Sequence, residues 1–243
     1  MASERERAST AGRRPIGNAE VAQRHWEGFE GNVLTGDRTV VEPVDADRDA
    51  ADIYAIGIEG EEPDRIWDYF GYGPFAGVDA VRDWLEGCAA STDPLFMVYR
   101  DRSTGRPGGM GSFMEIRQAA GVGEIGNIWF GRAWQRDIRA TEVLSMMMHH
   151  VLETRGYRRL EWKCNALNAG SRSAALRLGF RYEGLFLNHL IVKGRSRDTA
   201  WFSLTDEEWP AVREAHAKWF APENFDADGR QKVSLSELTR ALW

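Results

Sequence analysis

The chain has 243 residues, a hydrophobic fraction of 43% and a formal net charge of -6, enough for one large core or two small ones and ordinary for a globular protein. The acidic balance argues against a nucleic-acid partner, whose binding face is usually net basic. No apolar run approaches the roughly 20 residues that span a bilayer, and the first twenty residues lack the apolar centre of a signal peptide, so a cytoplasmic protein with no membrane partner is expected.

Met1 to about Glu20 mixes charged residues, Ser, Ala and Gly without apolar periodicity and reads as a mobile tail over 1–20. Val21 to Phe29 is expected to form one short helix. Arg38 to Val44 alternates as a first strand, with Pro43 at its end or on an edge. Asp45 opens a helical stretch, and two short helical patterns follow from Ala46 to Phe75, rich in Tyr54, Trp67, Tyr69, Phe70 and Tyr72. These aromatics are expected to pack a core, with lining a pocket as their alternative role. Gly77 to Ala90 is amphipathic through Val81, Trp84, Leu85 and Cys88. Strands at Leu95 to Tyr99, Gly109 to Ile116 and from Glu124 onward then form an antiparallel meander, the first two joined by turn chemistry at Asp101 to Arg106.

The central stretch runs from Trp129 to Phe180. Ile125 to Phe130 is apolar enough for a buried strand, and Trp134 to Asp137 breaks the pattern. Ala140, Val143, Leu144, Met147, Met148, Val151 and Leu152 recur at helical spacing, with Gly156 at the stop. Leu160 to Cys164 alternates as the next strand, which makes Cys164 a packed thiol. The two cysteines, Cys88 and Cys164, match no metal-ligand spacing. Asn168 can cap a short helix that ends at Leu178 with Gly179 beyond it. Arg181 to Lys193 and Thr199 to Leu204 form a hairpin around Gly194-Arg195, and Thr205 caps another helix with Glu208 at its capping-box position and Trp209 opening the apolar face. The remainder reads as an irregular arm with a short helix at Leu235 to Leu242. Asp226, Asp228 and Glu237 stand at calcium-loop spacing, but Arg230 takes a ligand position and Gln231 stands where the turn needs Gly, so no metal site is expected.

Three motifs in order carry a resemblance to the GNAT N-acyltransferase superfamily, and within it to the Rim-like branch. They are Glu124-Ile125-Gly126, Trp134-Gln135 through Thr141, and Asn168-Ala169-Gly170-Ser171 through Leu178-Gly179-Phe180. The resemblance covers about Val40 to Thr205. It implies an α/β (α+β) GNAT fold, a mixed, mostly antiparallel seven-stranded sheet splayed at its centre with helices on both faces. The domain expectation is 21–205 for the acyltransferase and 206–243 for a C-terminal helix and arm.

The resemblance also implies acetyl-CoA, or another acyl-CoA, as co-substrate. Its diphosphate would meet the loop Gln135, Arg136, Ile138, Arg139, Ala140 and Thr141, where a helix begins with unpaired amides and a partial positive charge. Ile138 replaces the first glycine of the family's loop, which limits the backbone angles there, and Arg136 and Arg139 are candidates for direct phosphate contact. Ile128, Trp129 and Phe130 would offer backbone groups to the pantetheine arm, and Asn168 would bind it as well as cap its own helix. Glu124 matches the family's base and Ser171 its thiolate-side acid. The tyrosine that many members carry four residues before the Gly of Gly-Phe is replaced by Ala175; Tyr182, Glu183 and His189 are nearby substitutes. The function implied is transfer of an acetyl group to a primary amine of a small molecule or peptide N-terminus. The alternatives are a succinyl-CoA-type donor and a silent CoA- or metabolite-binding module, with a homodimer left open and a structural subunit using a Trp-rich tail as a third reading.

Overall fold

The structure is a computed structural model and describes residues 21–23, 25–58 and 62–243. The N-terminal tail expected over 1–20 lies outside the described residues.

Strands Leu34–Thr35 (β1), Thr39–Pro43 (β2), Leu95–Asp101 (β3), Pro107–Arg117 (β4), Val122–Phe130 (β5), Arg159–Asn165 (β6), Arg181–Val192 (β7) and Arg195–Thr205 (β8) form one sheet. Its order is β1-β2-β3-β4-β5-β6-β8-β7, and only the β5–β6 pair is parallel. The eighth strand, absent from the sequence reading, is the two-residue β1, too short to show an alternation.

Helices cover both faces. On one face lie Ala46–Gly57 (α1) and Val78–Ala90 (α2). Between them stands a single 3-10 turn, Pro63–Trp67, in place of the second helical pattern expected there. The rings of Phe70, Tyr72 and Phe75 close around Trp67, which is buried, so its role here is packing. On the other face lie Ile138–His149 (α3), Ala169–Arg177 (α4), Trp209–Phe220 (α5) and Leu235–Arg240 (α6). The apolar stripe read from the sequence is the buried face of α3: Val143, Met147, Met148 and Val151 have no exposed surface. A π-turn, His150–Thr154, continues the helix to Gly156, whose φ of 62° suits a residue without a Cβ.

Two expectations are corrected. The segment from Val21 to Phe29 has no helix among its described residues. Trp26 instead donates its indole N–H to the Gly156 carbonyl at 2.7 Å, and Phe29 stacks on Phe113 at 5.0 Å. Burying two aromatics against the rim of the sheet outweighs a weak local helical preference. The C-terminal tryptophans do not form an exposed surface either, because Trp209 and Trp219 are buried and only Trp243 is half exposed. The short helix expected in the arm is α6, which carries a full capping box from Ser234 and Glu237 and buries Leu235 fully. The acidic loop before it is an ordinary turn, with Asp226 accepting the amides of 228 and 230 and Glu237 spent on Ser234.

One stability prediction arises in this layer. His216 of α5 is buried, its Nε2 faces the Leu178 carbonyl at 3.0 Å and its Nδ1 faces the Ser145 hydroxyl at 2.9 Å. The carbonyl can only accept, so Nε2 carries the proton and Nδ1 accepts from Ser145. Burial holds the imidazole well below its ordinary value, at about 4. The unfolded chain therefore binds a proton that the native state refuses, and stability is lost as pH falls from about 6.5 towards 4. Thermal melts at pH 7 and 5 should show this loss, and His216→Gln should flatten it.

Candidate active site

The sheet opens at its centre. β5 and β6 pair through Val122↔Arg159, Gly123↔Leu160 and Glu124↔Glu161 and no further. Beyond that point β5 stays with β4, and β6 stays with β8 as far as Asn165↔Thr199. The backbone groups along the inner edges of Ile125 to Phe130 and Trp162 to Asn165 are therefore without a strand partner. Such groups need one from a ligand or water.

A bulge shapes the β5 side of the gap. Met110 pairs with Trp129 and Ser112 with Gly126, so Asn127 and Ile128 stand opposite a single β4 residue, Gly111. Asn127 takes φ 52°, a conformation Asn tolerates better than most residues. Its Nδ2 donates to the Ser112 hydroxyl at 3.0 Å, which fixes the bend. The extra residue shifts the alternation, so Glu124 and Trp129, five apart, point to the same face of the sheet, that of α1 and α2. Trp129 rests there against Trp67 with ring centroids 5.0 Å apart.

Glu124 stands where the strands part, and it is buried rather than solvated at a strand end. The parallel register sets Glu161 beside it, and Lys163 bridges both carboxylates at 2.8 and 3.1 Å. Their environments then diverge. Burial pushes Glu124 upward, Lys163 offsets only part of that, and the charges of Glu161 and Glu115 add to the rise. Burial also acts on Glu161, but Arg159, Lys163 and Arg117 outweigh it and hold that group below the ordinary carboxylate range. Two adjacent carboxylates separated in this way suit one to trade a proton and the other to stay charged.

The other half of the site lies on the α3 face. Asn168 accepts the Ser171 amide at 3.0 Å, as expected of an N-cap. The Ser171 oxygen accepts the Trp162 indole N–H at 2.9 Å, and its hydroxyl also meets the buried Cys164 thiol, partly offsetting the upward push of burial on that group. Ala175 is fully buried, so no hydroxyl reaches the gap from that position. Glu183 is engaged by Arg159 and Ser203, His189 faces Thr199 through Nδ1 at 3.0 Å, and Tyr182 packs its ring against Phe202.

The loop before α3 differs in detail from the sequence reading. Its positive φ falls on Arg136, at 64°, while Ile138 begins the helix with no such requirement, so its side chain costs the loop nothing. The Gln135 side chain donates to the Phe130 carbonyl at 3.1 Å and ties the loop to the end of β5. Asp137 caps the helix by accepting the Arg139 amide at 2.8 Å. The Arg139 guanidinium is held by Asp137 and Asp101 and lies over the Trp134 ring. Arg136 is exposed and has no ion pair among the described residues, so of Arg136 and Arg139 it is the one free to meet a phosphate. Ala140 and Thr141 sit in the first turn of α3, with the Thr141 hydroxyl accepting from Arg177 at 3.0 Å. An open groove of about 600 Å³ flanks this loop between Arg38, Arg102 and Arg139, remote from Glu124.

Three residues at the gap went unread in the sequence: Lys163, Trp201 and Arg197. Alternation alone would have put Lys163 on the face of Glu161, but its contact with Glu124 depends on the β5–β6 register. An amide-rich extended ligand fits the free inner edges, and a diphosphate fits the opening turn of α3 beside Arg136, although it would share that turn with the Asp137 carboxylate.

Comparisons agree with this geometry. A family profile described as an acetyltransferase (GNAT) domain matches residues 38–181. A GCN5-related N-acetyltransferase from Brucella melitensis is 38% identical, with a TM-score of 0.86 over 90% of this chain and 99% of that one. A probable acetyltransferase of the GNAT family from Chromobacterium violaceum is 32% identical, with a TM-score of 0.75 over 83% of this chain and 100% of that one. The ribosomal-protein-S5-alanine acetyltransferase from Vibrio fischeri, 15% identical at a TM-score of 0.59 over 73% of this chain and 98% of that one, shares the fold. No curated protein matches the sequence.

Proposed function

The chain belongs to the GNAT acetyltransferase family, and from that premise we propose that it moves an acetyl group from acetyl-CoA directly to a primary amine of a small molecule or peptide N-terminus, as a Rim-like member. The observation that carries this reading is a buried carboxylate with a raised pKa, Glu124, at the point where β5 and β6 part.

The bound thioester supplies an activated acyl carbon. Inner-edge amides and carbonyls of Ile128, Trp129 and Phe130 pair with the pantetheine arm, and an N–H among them faces the thioester oxygen. The opening turn of α3, from Gln135 to Thr141, and the Arg136 side chain hold the diphosphate. Asn168 reaches the arm while capping α4. Glu124 takes the proton from the attacking amine as the N–C bond forms, and Ser171, on the opposite face of the sheet, hydrogen-bonds the departing sulfur as the C–S bond breaks and relays to it a proton drawn from water, so that the serine ends neutral. Base and acid thus serve the two sides of one gap. Asn168→Ala should cost about 1 kcal/mol of stability through the lost cap and also weaken CoA binding. Melting and calorimetry on the same sample separate the two effects.

A silent CoA-binding module is the second reading, favoured by the Asp137 carboxylate at the α3 N-terminus and by the sequestered Arg139. Acetyl-CoA mixed with a panel of primary amines, with free thiol monitored, decides between them. Thiol release with at least one amine is expected. Tight CoA binding without release from any amine would establish the silent module, and the absence of heat with every CoA thioester would sink both. The reading includes the cytoplasm; no described helix is long and apolar enough to cross a membrane. It also includes a homodimer through the edge strand β7, where Phe186, Leu187, Leu190 and Ile191 are exposed. A monomer in sedimentation at working concentration would remove the dimer.

A further inference from the structure

Buried N–H donors without acceptors are costly, about 1–3 kcal/mol for each one left unmade. Three of them border the gap on the α1 face: Trp129 Nε1, Trp201 Nε1 and Arg197 Nε are buried and have no hydrogen-bond partner among the described residues. Trp129 itself is only 4% exposed. Arg197 makes no ion pair among the described residues, and burial holds its pKa below the ordinary guanidinium value despite the neighbouring Glu124.

Their placement follows from the strands. β8 puts Arg197, Thr199 and Trp201 on one face by alternation. Trp201 stands opposite Lys163, whose Nζ lies 4.2 Å from the centre of its ring and 2.8 Å from Glu124. The β6–β8 pairing ends at Thr199, so Arg197 lies past the end of β6, at the open mouth. Trp129 faces the same space from β5. The turn of the β7–β8 hairpin is tied to the same side, because Lys193 donates to the Trp67 carbonyl at 2.9 Å and Trp67 lies against Trp129. A second tie joins Tyr69 to the Leu167 carbonyl at 3.2 Å. The space thus has a carboxylate with a raised pKa at its floor and a charged, unpaired guanidinium with two indole N–H groups around its mouth.

We infer that the acceptor is an amine carrying a carboxylate, its amino group set at Glu124 and its carboxylate taken by Arg197 with the indole N–H groups of Trp129 and Trp201. This rests on the transferase reading above and narrows it to an acceptor class. A carboxylate supplies the acceptor oxygens that the three donors lack, and a charge-assisted pair with the guanidinium is the strongest bond open to them. The same chemistry at the end of a dicarboxylic acyl chain is the rival source.

The test pairs an amino acid with its own carboxamide, on the wild type and on Arg197→Met. Each is titrated calorimetrically into the CoA-bound protein and assayed for thiol release from acetyl-CoA and succinyl-CoA. The wild type should prefer the carboxylate about 10-fold or more, as expected for one bond to a charged group, and in Arg197→Met that ratio should collapse towards one. Arg197→Met should melt no lower than the wild type, since it removes a buried donor without a partner, whereas a purely structural arginine would lower the melting temperature. Equal use of acid and carboxamide by the wild type overturns the inference and leaves the transferase standing. Faster reaction of succinyl-CoA than acetyl-CoA with an uncharged amine, lost in Arg197→Met, overturns it in favour of the donor chain. Carboxylate-selective binding without thiol release keeps the site and sinks the transferase.

Discussion

Glu124→Gln should lower kcat by about 10²–10⁴-fold, the range for losing a positioned general base, while CoA affinity stays near that of the wild type. In the proposed reading the cofactor meets backbone edges, the α3 loop and Asn168, and the variant touches none of them. Gln keeps the shape and leaves Lys163 its bond to Glu161. The pH profile makes the test specific. Burial raises Glu124 above its ordinary value of 4.5, and a base must be ionised to act. Activity of the wild type should therefore rise with pH along an acid limb above pH 4.5, and the variant should lose that limb.

Stability gives a second readout with the opposite sign to simple damage. A carboxylate raised on folding contributes stability below its unfolded value and loses it as pH rises through its folded one. At neutral pH the wild type carries the cost of an ionised Glu124 in a buried setting, and Gln does not. The variant should thus be dead or slow yet melt no lower at pH 7. Wild-type rates at every pH would remove Glu124 from the chemistry, and a retained acid limb would move the base to another group.

Much of this site could be read from the chain because its parts are local. The apolar stripe of α3, the Asn168 cap with its bond to the Ser171 amide and the left-handed Gly179, at φ 98°, each depend on residues within a few positions. What could not be read depends on register between distant strands. Nothing near Glu124 in sequence says that β6 leaves β5 after three pairs, or that Lys163 then lies between Glu124 and Glu161. The bulge at Asn127 needs the count of residues on β4 as well as on β5. Arg197 reaches the gap only because β8 outruns β6. The helix expected at Val21 to Phe29 failed for a related reason, since Trp26 and Phe29 obey partners more than 80 residues away, among them Gly156 and Phe113.

Arg100→Met should give the largest loss of stability, about 3 kcal/mol, because removing one partner of a buried ion pair strands the other. Asp49 of α1 is fully buried and is paired to Arg100 of β3. Burial pushes its carboxyl upward, but hydrogen bonds from Arg48 and the Asp45 amide, with the Arg100 charge, hold it below its ordinary 3.8. After the substitution Arg48 at 2.7 Å and the amide at 2.9 Å remain, which keeps the cost at the low end of the range for such pairs. Roughly 10 °C of melting temperature should go with it. The penalty comes from an ionised Asp49, so wild type and variant should converge as pH falls below 3.8. The same pair pins α1 to the sheet, and the end of α1 holds the Trp67 indole through the Gly57 carbonyl at 3.2 Å, which in turn seats Trp129 at the gap. A variant that unfolds at the same temperature as the wild type would show that Arg48 alone neutralises Asp49, and that Trp129 is held at the gap by ring packing rather than by charge.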